Sequence, residues 1–138
     1  MKGWIHATAH TADLVGFLAA DPRFAVRDQA QLLESVSERI RSARVVFSYG
    51  EQDRLAVSIA SIVGRTNFNS AGFDRWLAAL AEADRKLWAE IPPHDDPLKA
   101  FENNNYLLQA LVARLAAKPP SPSAAHVIAE INQTMAKR

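Results

Sequence analysis

His6, His10 and Asp13 are the residues whose types and spacing could do chemistry in this chain. In a helix of about 3.6 residues per turn, His10 falls about 40° to one side of His6 and Asp13 about 20° to the other. All three therefore share one narrow face. Two kinds of chemistry fit that face. Imidazoles at i and i+4 can both reach one divalent metal ion with a carboxylate as third ligand, and Glu51 and Asp53 are candidates for further oxygen ligands. A second carboxylate beside such an ion would activate water, as in a metal-dependent hydrolase. The segment lacks the glutamate that a zincin places beside its first histidine, because position 7 is Ala7. The alternative is a hydrogen-bonded network that fixes helix register, with a neutral histidine donating to Asp13 and Arg54 as a distant partner.

The helix that must position these residues is unusual. His6, His10 and Asp13 are the only ionisable residues between Gly3 and Ala20. A helix that is apolar nearly all round is normally buried, which predicts an Asp13 carboxylate taken out of water. Burying that charge alone would cost several kcal/mol, so it requires a partner. Phe17 continues the same face by one turn and would wall it with an apolar ring.

Apolar residues recur at helical spacing almost throughout, and the breaks are well marked. The pattern predicts helices over 4–20, stopped by Asp21-Pro22, and over 26–42, with Leu32, Leu33, Val36 and Ile40 on one stripe. Residues 44–49 read as a connector, because no second strand pattern exists to pair with them. Ser48 and Glu51 then have capping-box spacing before a third helix over 51–64. Asn69 and Ser70 are caps for a fourth over 71–91, with Phe73, Trp76, Leu77, Leu80, Leu87 and Trp88 inward, ended by Pro92-Pro93. Asp96-Pro97 opens a fifth, carrying Leu98, Phe101, Leu108, Leu111 and Leu115. The Pro/Ser-rich segment 118–123 reads as a semi-rigid linker before a last helix over 124–136. Residues 1–138 thus form a single all-α domain of about six helices in antiparallel hairpins, either a HEAT-like helical repeat or a compact bundle.

Composition excludes several function classes. With 138 residues the chain suits one domain. Sixteen basic against fifteen acidic residues leave a net charge of +1, which gives no electrostatic case for nucleic acid or an anionic membrane surface. No apolar stretch suits a bilayer span, and no signal-peptide pattern opens the chain, so the expected compartment is cytoplasmic. The absence of cysteine excludes disulfides, thiolate zinc sites and a cysteine nucleophile.

Other candidates are sparser. Arg39, Arg41 and Arg44 form a basic strip diluted by Glu34 and Glu38, as on a solvated face. Asn103, Asn104 and Asn105 lie within the fifth helix, where asparagine is a poor helix former. They point to a distortion, to side chains bonding another helix, or to a ligand. His94 and His126 read as surface residues.

The run Gly3-Trp4-Ile5-His6-Ala7-Thr8-Ala9-His10-Thr11-Ala12-Asp13-Leu14 resembles the signature of a bacterial family, domain of unknown function 2785. That signature is Gly-Trp-x-His-Ala-x-Ala-His-Gly-Ala-Asp-Leu, with Thr11 here in place of its second glycine. Glu51 to Ala56 is similar to the family's acidic-Arg-Leu motif, and Leu107 to Leu115 to its late leucine-rich helix. The resemblance implies an array of α-helical pairs and brings no activity, cofactor or partner. Family members carry a further helical segment before the Gly-Trp motif, whereas this chain begins two residues before it. Without that segment the first helix would expose an apolar patch, and such patches mark interfaces. The expectation is a homodimer through the first helix, or a protein partner there. Two functions remain open: a non-enzymatic interaction or structural domain organised by the His-His-Asp network, and a metal-binding protein or hydrolase.

Overall fold

The computed structural model describes residues 7–89 and 95–137. They form six helices and no strand: α1 (Ala7–Ala20), α2 (Val26–Arg41), α3 (Glu51–Val63), α4 (Ser70–Ala89), α5 (Asp95–Ala116) and α6 (Pro122–Ala136). Among the described residues, no helix is long and apolar enough to cross a membrane.

The odd-numbered helices lie side by side in the order α1, α3, α5, and the even-numbered ones in the order α2, α4, α6. Contacts within each row advance together along the sequence. Ser58 Oγ donates to the Ala12 carbonyl at 2.9 Å, and Arg65 Nη1 to that of Ala19, also at 2.9 Å, so α1 and α3 run parallel. In the other row, the Asn69 N–H donates to Gln29 Oε1 at 2.9 Å and Trp76 Nε1 donates to Ser37 Oγ at 2.7 Å. The hairpins expected from the short loops are therefore stacked in one sense.

One core fills the space between the rows. Ile40, Ile59, Ile62, Phe73, Leu107, Leu108, Leu111, Val127 and Ile131 are fully buried, each contributing about 1.5–3 kcal/mol relative to exposure. Trp88 departs from the expected stripe. It sits near the end of α4, edge-on to Phe101 at 5.3 Å between ring centroids, and remains largely exposed.

The helix starts combine expected and unexpected caps. Asn69 Oδ1 accepts from the Gly72 N–H at 2.9 Å, and Ser121 Oγ accepts from that of Ala124 at 3.2 Å with Pro122 in the first turn. The Ser48 capping box does not form. Gly50 is the N-cap of α3, at φ 78°, a left-handed conformation open to glycine at little cost. Glu51 does reach back, accepting from the Tyr49 N–H at 2.8 Å.

The connector 44–49 is pinned by a side chain of α5. Asn103 Oδ1 accepts from the Phe47 N–H at 2.8 Å, and Asn103 Nδ2 donates to the Val45 carbonyl at 3.1 Å. Asn103 is fully buried, so its poor helix propensity is offset by satisfying the buried Phe47 N–H.

Candidate functional site

The face that carries His10 and Asp13 points away from the core. Helix α1 docks on α3 through small residues: Ala12 and Ala19 are buried, and a Cβ on Gly16 would stand 3.3 Å from Ser58 Oγ. That close approach covers only one side of α1. The opposite side carries His10, Asp13, Leu14, Phe17 and Leu18, all exposed. Leu14 is 59%, Phe17 77% and Leu18 48% accessible. Val57 of α3, also exposed, lies next to Gly16 along the seam. The rule that an apolar helix is buried fails here because small residues, not large ones, make the packed stripe.

Asp13 is correspondingly not withdrawn from water. Its side chain is 53% accessible and pairs with Arg54 Nη1 at 2.6 Å. Arg54 is thus the partner anticipated from the sequence, but the pair lies at the surface. His6 lies outside the described residues.

The carboxylates considered as metal ligands have other partners. Arg114 holds Asp53 through two hydrogen bonds, which push the guanidinium pKa up. Glu51 is turned into the α3 cap and is buried there. A divalent ion would have to displace Arg54 from Asp13 and Arg114 from Asp53. Among the described residues, no three His, Cys, Asp or Glu side chains converge in a way that could hold a metal. Asn104 lies away from this face, buried against a cavity between α2, α4 and α5.

Two structural anchors had no local sequence signal. Arg65 donates through Nη1 to the carbonyls of Ala19 and Asp21, at 2.9 and 2.8 Å, and through Nη2 to those of Pro22 and Phe24, at 3.2 and 3.0 Å. It closes the C-terminal end of α1, where carbonyls lack helical partners and a cation is favoured. His126 Nε2 lies 2.8 Å from Asp74 Oδ1, joining α6 to α4 in place of the free surface position expected. At the turn after α1, Arg23 bonds Asp21 through side chain and backbone and lowers the Asp21 carboxyl pKa to about 2.

These features define an all-α domain of stacked hairpins with an apolar first-helix face. The family model for proteins of unknown function DUF2785 matches residues 1–113, and the chain belongs to that family. The match spans α1 to α4 and α5 as far as Ala113, so it includes the exposed face and the Asp13–Arg54 pair. No curated protein and no solved structure matches the chain.

Proposed function

We infer that this domain is a non-enzymatic helical interaction module of the HEAT-like kind, and that the outer face of α1 binds a second copy of the chain. The observation that carries this reading is the exposure of Leu14, Phe17 and Leu18 at helical spacing on one face. Apolar side chains grouped in this way mark interaction sites. A two-fold pairing of α1 with its copy would bury the same strip on both sides, as isologous interfaces do. The exposed Asp13–Arg54 ion pair lies beside the strip and gives it a polar edge. Six such side chains supply on the order of 10 kcal/mol before the costs of association, which places the dissociation constant in the micromolar range or weaker.

Sedimentation equilibrium from about 1 to 500 μM spans that range and tests the reading. The wild type should shift from monomer to dimer mass, and Phe17→Asp should weaken pairing about 100-fold. Because Phe17 projects into solvent, the variant should melt as the wild type does. A wild type monomeric throughout the range would overturn self-association.

A further inference from the structure

A cavity of about 650 Å³ opens between α2, α4 and α5, on the far side of the fold from the α1 face. Its size falls within the roughly 300–1,000 Å³ typical of small-molecule sites. The cavity is elongated, since its α4 wall runs from Gly72 to Leu87, about 22 Å at the rise of a helix. Leu33, Trp76 and Leu80 give its middle an apolar and aromatic lining.

Two arginines mark one end. Helices α2 and α4 run in step, with Gln29 bonded to the Asn69 N–H and Ser37 to the Trp76 indole, which sets Glu34 level with Arg75. Arg41 reaches back to Glu34 through Nη2 at 2.7 Å, so its guanidinium lies at the same level. That pair is exposed on both sides and leaves Arg41 further N–H groups for a second acceptor. Arg75 is exposed at the cavity wall and makes no ion pair among the described residues. With Glu34 held by Arg41 and the buried Asp84 carboxylate already engaged, the charge left uncompensated is that of Arg75.

Asn104 marks the other end. Trp88 packs on Phe101 and α5 turns back along α4, so Asn104, one turn beyond Phe101, lies level with Asp84, one turn before Trp88. Asn104 is 5% exposed, and its Oδ1 accepts no hydrogen bond among the described residues. A buried acceptor without a donor is costly, and native folds rarely retain one that nothing satisfies. Nine residues separate Arg75 from the level of Asn104, about 13 Å along the helix.

We propose that this cavity binds a medium-chain carboxylate carrying a hydroxyl at its far end. The carboxylate meets Arg75 and Arg41, the chain lies along Leu33, Trp76 and Leu80, and the hydroxyl donates to Asn104 Oδ1. A guanidinium fork matches a carboxylate in charge and geometry. An extended chain of about ten carbons spans the distance between the two ends.

The test is titration of the ¹⁵N-labelled full chain with 10-hydroxydecanoate, with decanoate, which lacks the hydroxyl, and 1,10-decanediol, which lacks the carboxylate, as comparisons. The Trp76 indole N–H signal, assigned with Trp76→Phe, reports from the cavity wall. 10-Hydroxydecanoate should shift that signal saturably and bind about fivefold or more tightly than either comparison. Arg75→Gln, at an exposed position, should remove the preference over the diol. Asn104→Leu should remove the preference over decanoate; if that variant does not fold, Ala79→Trp, exposed on the cavity wall, should obstruct all three ligands. Equal binding of the three, or no shift up to about 10 mM, would overturn the proposal. So would a preference over the diol that survives Arg75→Gln.

Discussion

Replacing Arg65 should unfasten the α1–α2 corner. Its guanidinium makes five hydrogen bonds: four to the carbonyls of Ala19, Asp21, Pro22 and Phe24, and one from Nε to Asn67 Oδ1 at 3.0 Å. It also lies over the Phe24 ring, 5.9 Å from the centroid. Hydrogen bonds from a charged donor contribute about 1.5–3 kcal/mol each when water cannot replace them. The corner is only partly buried, so water recovers much of that, and Arg65→Met should cost about 2–4 kcal/mol in total. Arg65→Lys should recover little, because a single ammonium cannot span four carbonyls that the planar fork reaches together. For a domain of this length the loss corresponds to a fall in Tm of about 8–15 °C. Amide exchange at residues 19–24 should quicken more than in α5, since the damage is local. A Met variant that melts within about 2 °C of the wild type, with exchange at the corner unchanged, would refute the reasoning.

Asn103→Leu should destabilise by about 1–3 kcal/mol in urea titrations, because it strands the buried Phe47 N–H and removes the bond to the Val45 carbonyl at the edge of the core. The Asp13–Arg54 pair, exposed on both sides, should show a coupling of no more than about 1 kcal/mol in a double-mutant cycle, falling further at high salt. Asp21 is held at a pKa of about 2, below its value in the unfolded chain. Its contribution is therefore fully present above about pH 4 and is lost as pH falls through 2. Asp21→Asn should remove that part of the acid sensitivity, which denaturant midpoints measured from pH 5 to 2 would reveal.

The helices were legible because their signals are local. Apolar stripes at Leu32–Ile40 and Phe73–Leu87, the Asn69 cap and the prolines at 92, 93 and 97 punctuate the chain without reference to distant residues. The orientation of α1 was not legible in the same way. Its composition suggests burial, yet the decision lay with Gly16 and the alanines, whose small size lets α3 approach on one side only. The same choice turned the His10–Asp13 face outward and made Asp13 a surface partner of Arg54.

Long-range polar anchors were hidden for a different reason. Arg65 bonds main-chain carbonyls more than forty residues away, and a carbonyl acceptor has no sequence signature. Asn103 and Asn104 stood out as misfits in a helix, which located them but did not separate their roles. One proved to brace the connector and the other to face the cavity. The helix start at Glu51 was legible, but its cap was not: Gly50, in a left-handed conformation closed to most residues, takes the place expected for Ser48.

The central claim, that the outer face of α1 meets its own copy, is tested most directly by site-specific cross-linking. The chain contains no cysteine, so each substitution introduces a single thiol. Leu14→Cys, Phe17→Cys and Leu18→Cys are compared with Ser35→Cys, an exposed position on α2, under mild oxidation at tens of micromolar protein. Disulfides need Cα atoms within about 7 Å, so rapid dimer formation at one or more α1 positions, and not at Ser35, is the predicted result. Equal, slow cross-linking at all four positions would contradict the account.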